Sequence, residues 1–129
     1  MNSKKLGILG EKIAENYLKK KGYQILDKNY SPKFISGPKR GEIDIVAKKE
    51  NTISFIEVKT LIQDSPRTVL HFSPEEKVNF KKKRKVIKIA ESWLVEKKLS
   101  LDSQWEIDVI SVRINSENKK AKILYFSNV

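Results

Sequence analysis

Two short runs, GEIDIVAKK and TISFIEVKT, meet at Glu50-Asn51 and carry Glu42, Asp44, Glu57 and Lys59 at alternating positions. If Glu50-Asn51 form a two-residue turn, Lys49 pairs with Thr52 and all cross-strand partners have numbers with one common sum. Asp44 then stands opposite Glu57, and Glu42 opposite Lys59. Side chains alternate along a strand, so these four share one face and Ile43, Ile45, Ile56 and Val58 share the other. Directly opposed Cβ atoms lie about 4.5–5.5 Å apart, and like charges there are destabilising. A divalent cation between Asp44 and Glu57 would remove that cost. Oxygen ligands on rigid strands suit Mg²⁺ or Mn²⁺, which keep several waters and often share a substrate phosphate.

The competing reading is a solvated outer face, which is common on an antiparallel hairpin. Two features weigh against it. The helical segments carry apolar stripes that need a sheet to cover, and the loop before Glu42 is rich in Gly, Pro, Lys and Arg. Lys39 and Arg40 in that loop suit the approach of a phosphate.

The elements around the hairpin follow from periodicity. Leu6, Leu9, Ile13, Ala14, Tyr17 and Leu18 recur at helical spacing, which predicts a helix from about Lys4 to Lys21 with Gly22 as its stop. A short strand around Tyr23–Asp27 and an irregular loop, SPKFISGPKRG, lead into the hairpin. A second loop spans roughly Leu61–Phe72. Ser73-Pro74-Glu75-Glu76 then reads as a helix start, and the helix extends to about Lys98. Strands around Trp105–Ile114 and Ala121–Phe126, joined by a polar turn at Ser116–Lys120, close the chain. The order α-β-β-β-α-β-β predicts an α/β sandwich on a mixed sheet.

Length and composition narrow the function classes. A chain of 129 residues is enough for one domain, and 39% apolar residues in regular runs fit a folded protein. Lys and Arg number 27 against 16 Asp and Glu, a net charge of +11 that favours a polyanionic partner, nucleic acid first. Anionic lipid is the weaker choice, because no long helix pairs a basic face with an exposed aromatic one. The absence of cysteine excludes disulfides and thiolate metal sites. The N-terminal segment turns charged too early for a signal peptide or membrane span, so a cytoplasmic location is expected.

GEIDIVAKKENTISFIEVKT resembles the core motif of the PD-(D/E)XK nucleases, an Asp on one strand followed by Glu-x-Lys on the next. More narrowly, the chain resembles the YraN family, described as predicted endonucleases related to archaeal Holliday junction resolvases. That likeness runs through LGILGEKIAENYLKKKGYQIL, GEIDIVA, FIEVKT, a basic helix ending in AESWL, IDVISV and ILYFSN. It implies a restriction-endonuclease-like core (αβββαβ), a mixed central sheet flanked by helices, over residues 1–129. It implies a Mg²⁺-dependent (or Mn²⁺-dependent) endonuclease acting on DNA, including branched or structured DNA, with a homodimer as one form.

By the same resemblance Asp44 and Glu57 ligate the metal with the backbone carbonyl of Val58. Lys59 orients the attacking water or stabilises charge at the phosphate. Glu11 matches an acidic residue of the first helix; on the helical wheel it falls roughly 20° beyond Leu18, at the edge of the apolar stripe. Three departures stand out: Ile43 precedes Asp44 where the superfamily has Pro, Leu61 follows Thr60 where relatives have Arg, and Glu106 stands where they carry Arg before the Asp of the fourth strand.

The stretch KVNFKKKRKVIK adds dense positive charge. Lys77, Lys81, Arg84, Lys85 and Lys88 fall opposite Val86, Ala90, Trp93 and Leu94 and face solvent. Lys82 and Lys83 share the apolar arc one turn earlier, from where they can overhang the sheet and touch a phosphate; Lys82 also matches a lysine the family places eight residues before Ala90. Trp93 and Trp105 read as core, and His71 has no partner for acid–base work. Two other functions stay open: a non-catalytic nucleic-acid-binding module on a nuclease scaffold, and a protein-interaction adaptor.

Overall fold

The computed structural model describes residues 2–33, 41–63 and 80–129, with Phe80–Lys82 described only as helix. Helix α1 covers Ser3–Lys20, strands β1 Gln24–Tyr30, β2 Ile43–Lys49 and β3 Thr52–Gln63, helix α2 Phe80–Glu96, and strands β4 Trp105–Asn115 and β5 Ala121–Phe126. The strands form one sheet in the order β1-β2-β3-β4-β5. Only β3 and β4 run parallel, and α2 lies in the crossover between them, as a parallel pair requires. This is the α/β architecture with a mixed sheet that the alternation of elements predicts.

Both ends of α1 are defined by side chain and backbone chemistry. Asn2 Oδ1 accepts the Lys5 N–H at 2.8 Å, which caps the first turn. At the other end Gly22 takes φ 92°, the Gly22 N–H reaches the Lys19 carbonyl, and the Tyr23 N–H reaches the Leu18 carbonyl. Paired bonds of that kind satisfy the last carbonyls of a helix and turn the chain sharply into β1.

The two helices cover opposite faces of the sheet. On one, Ala14 and Leu18 of α1 pack on Ile45, Ala47, Ile56, Ile110, Val112 and Ile114. On the other, Ile89, Ala90, Trp93 and Leu94 of α2 pack on Tyr30, Ile43, Val46, Ile53 and Phe55. Trp93 is 2% exposed, stands edge-on to Phe55 and donates its indole N–H to Asp27 Oδ2 at 3.1 Å, so it is core as expected.

Three expected boundaries move. β1 continues to Tyr30 and β3 to Gln63, past the loop expected from Leu61, while α2 ends at Glu96 rather than Lys98. β3 runs on because β4 pairs with it along its whole length, from Ile53↔Trp105 to Gln63↔Asn115. A long parallel partner lies outside what local alternation can reveal. The helix start expected at Ser73-Pro74-Glu75-Glu76 lies outside the described residues.

The face expected for Ile43 is also corrected. Ile45 packs under α1, but Ile43, two residues away, packs under α2. In β1, Lys28 bonds to Glu15 of α1 while Tyr30 bonds to Ser92 of α2. Lys28 pairs with Ile45 and Tyr30 with Ile43, so Asn29 and Asp44 occupy the rung between them. Asn29 takes φ 52°, a left-handed conformation that Asn tolerates better than most residues. Both strands therefore change sides at one rung, and Asp44 sits at that change.

Candidate active site

The hairpin has the register that counting predicts, from Lys49↔Thr52 to Ile45↔Ile56. The ladder ends there. Just beyond it the Val58 N–H, one residue past the position opposite Asp44, donates to the Asp44 carboxylate, Oδ2, at 2.8 Å. A side chain takes the place of a backbone acceptor, and the two strands part around it.

Glu57 and Lys59 follow Phe55 at alternate positions, which directs them to the α2 side of the sheet. Lys59 Nζ lies 3.0 Å from Glu57 Oε1, with both side chains mostly shielded from solvent. The charge of Glu42 bears on Asp44 and on Glu11. Glu11 reaches the site from α1. Its carboxyl is raised by burial and then by Glu42, and Lys28 partly offsets both.

Asp44 stands at the centre of this charge. Burial pushes its carboxyl up to about 7, the Val58 N–H opposes the rise, and Glu11, Glu57 and Glu42 add to it. A half-buried acid with three others acting on it fits a divalent cation, which would relieve both desolvation and repulsion. Among the described residues no three His, Cys, Asp or Glu side chains converge as a ready-made cage. The residues that could hold such an ion are Asp44 and Glu57, the expected carboxylate ligands, with the Val58 carbonyl as the expected third; the bond that Val58 makes to Asp44 is through its N–H. That sparse, all-oxygen set suits Mg²⁺ or Mn²⁺, which take remaining positions from water and phosphate, and does not suit Zn²⁺.

Helix α1 reaches the sheet through Gly10. A Cβ there would stand 1.7 Å from Thr60 Oγ1 and 2.7 Å from Thr60 Cβ, so only glycine lets the helix lie this close. The closeness brings the next residue, Glu11, within electrostatic range of Asp44. Glycine inside a helix costs about 1 kcal/mol relative to alanine, and that mid-helix cost was the available sign of a tight approach.

The family model described as "Uncharacterised protein family UPF0102" matches residues 10–112, a span holding every residue of this site. The chain belongs to UPF0102. This is the YraN family that the motifs resemble. A UPF0102 protein of Caldanaerobacter subterraneus subsp. tengcongensis is 42% identical over 118 residues, covering 91% of this chain and 86% of the relative. One from Clostridium tetani is 42% identical over 120 residues, covering 92% and 88%. One from Clostridium botulinum strain 657 is 37% identical over 126 residues, covering 98% and 94%.

In this UPF0102 chain the expected basic contacts are less gathered than the acidic ones. Lys39 and Arg40 lie outside the described residues. Lys82 is on α2 with its side chain undescribed, and Lys83 is half-exposed on the same turn. Lys85 is exposed, as expected, and its stem passes over Gly41 (φ 68°), where a Cβ would come within 2.9 Å of its Cε and 3.1 Å of Ile89 Cδ1. Gly41 directly precedes Glu42, so Lys85 overhangs the strand that enters the site.

A second acidic group lies on β4. Asp108, 1% exposed, accepts the Asn128 N–H at 2.8 Å and the Tyr125 hydroxyl. Its hydrogen bond with Glu106, then burial, raises the Glu106 carboxyl to about 7. The departure from Arg at this position therefore places a protonatable carboxyl against Asp108. Among the described residues, no helix is long and apolar enough to cross a membrane.

Proposed function

We propose that this protein is a Mg²⁺- or Mn²⁺-dependent endonuclease that hydrolyses phosphodiester bonds in DNA, branched or structured DNA among its candidate substrates. The observation that carries the reading is Asp44, a half-buried carboxylate just past the end of the β2–β3 ladder, on which Glu11, Glu57 and Glu42 all act. A net charge of +11 supports a polyanionic substrate.

A bound divalent ion would lower the pKa of a water and polarise the phosphoryl group. Asp44, Glu57 and the Val58 carbonyl would hold that ion. Lys59, fixed against Glu57, would orient the attacking water or neutralise charge on the phosphate as its oxygen–phosphorus bond breaks. Glu11, from the opposite side, would orient the water or a second ion.

The test is incubation with linear, single-stranded and four-way-junction DNA, with Mn²⁺ or with chelator. Cutting that requires the metal and disappears in Asp44→Ala supports the reading. Cutting by Asp44→Ala at the wild-type rate overturns the site. Salt-sensitive DNA binding without any metal-dependent cutting would favour the non-catalytic binding module.

A further inference from the structure

Glu15 lies one helical turn after Glu11, and its side chain is 7% exposed. It bonds to Lys28 Nζ of β1 at 3.0 Å and Lys19 Nζ at 2.8 Å, with Lys12 Nζ at 3.9 Å. One buried carboxylate is thus shared by three ammonium groups, so the cluster keeps a net positive charge. Lys19 and Lys12 belong to α1 itself. Lys28 comes from the edge strand, where it pairs with Ile45, the neighbour of Asp44. Its charge is felt at Glu11, which places it on the flank of the acidic site away from β4.

An acidic centre repels the phosphodiester it must receive, so cations are needed beside it. Lys59 meets this need on the α2 side. The geometry points to Lys28 as the corresponding phosphate-binding residue on the α1 side, with Glu15 as the positioning residue that fixes its ammonium group. This rests on the nuclease reading and names a second contact for the same substrate. Lys28 is half-exposed, so a phosphate can reach it, while its Glu15 partner is buried and fixed on α1. A long flexible side chain loses much rotamer entropy when it binds a ligand. Glu15 has already restricted Lys28, and its single charge, divided among three lysines, leaves Lys28 able to accept another anion.

The experiment measures DNA affinity in chelator as a function of salt, so that it does not depend on cleavage. Lys28→Ala should weaken binding severalfold and reduce the slope of log K against log salt by about 0.9, the loss of one phosphate contact. Lys28→Arg should restore both. Lys19→Ala removes an equal charge from the same cluster and should leave the slope nearly unchanged. In a Glu15→Gln background the penalty for Lys28→Ala should shrink, since Lys28 is no longer held in place.

An unchanged slope in Lys28→Ala, or an equal loss in Lys19→Ala, overturns the assignment, as does an undiminished penalty in the Glu15→Gln background. If the wild type shows this pattern of binding yet never cuts with Mn²⁺, the hydrolytic reading fails and the Lys28 contact stands.

Discussion

The Asp44 carboxylate accepts the Val58 N–H at 2.8 Å just past the end of the β2–β3 ladder. That bond ties a candidate metal ligand to the residue whose carbonyl would be another. It also sets a conflict, because the hydrogen bond favours the ionised acid while burial and three neighbouring carboxylates oppose it. Opposition wins, and the acid is held near 7.

Asp44→Asn therefore separates stability from activity. The amide oxygen can still accept from Val58, so the fold is kept. In metal-free protein the raised acid binds more protons folded than unfolded. Wild-type stability consequently falls as pH rises from about 3.8 to about 7, by at most about 1.4 kcal/mol per pH unit. Thermal unfolding should show Asp44→Asn level with wild type near pH 4 and more stable near pH 8. Cleavage should drop by about 100-fold or more, the scale of losing a principal electrostatic group. A variant no more stable at pH 8 would mean that Asp44 is not crowded as described.

Lys59→Met keeps the aliphatic stem and removes only the charge. It should lower kcat by about 100-fold or more while DNA affinity in chelator changes little, because the lysine acts at the reacting phosphate. The variant also deprives Glu57 of a 3.0 Å partner, so metal affinity should rise or hold. Titration with Mn²⁺ followed by a cleavage assay checks both. A large loss of DNA affinity with kcat unchanged would make Lys59 a binding residue only.

The hairpin register could be counted from sequence because a two-residue turn fixes it, and the register observed is the one expected. The shared face for all four polar residues did not follow. Alternation assumes an unbroken pleat, and in β2 it breaks at Asp44, where Ile43 and Ile45 pack on opposite faces beside the left-handed Asn29 of β1. Asn29 lies in the neighbouring strand, so nothing within the hairpin itself signals the change. Glu11 was legible only as an edge position on the wheel; what brings it in is the Gly10–Thr60 contact, which joins residues fifty apart. The extension of β3 was hidden for the same reason, since its pairing partner is β4.

That Gly10–Thr60 contact gives a packing prediction. Gly10→Ala gains helix propensity of about 1 kcal/mol, yet its Cβ would overlap Thr60 Oγ1 at 1.7 Å. Overpacking of this kind typically costs about 1–3 kcal/mol, so the net change should be destabilising. Activity should fall further than stability, because α1 must lift away and carry Glu11 with it. Thr60→Ala removes the Oγ1 and Cγ2 clashes but leaves its Cβ 2.7 Å away, so the double variant should recover in part. Denaturant unfolding of the four proteins, read as a double-mutant cycle, measures the coupling.

Glu106 offers a test away from the site. Its carboxyl is raised to about 7 by the hydrogen bond to Asp108 and by burial, so the folded protein retains a proton that the unfolded chain releases near 4.5. Stability from this pair is present below about 4.5 and is lost as pH climbs through 7, the sign expected for a raised acid. Glu106→Gln supplies an amide N–H to Asp108 at every pH. The variant should match wild type at pH 4, melt higher at pH 8.5, and cut DNA normally at either end of its stable range. Equal melting temperatures at pH 8.5 would show that Glu106 sheds its proton without cost, and the Asp108 contact would then not be what holds it.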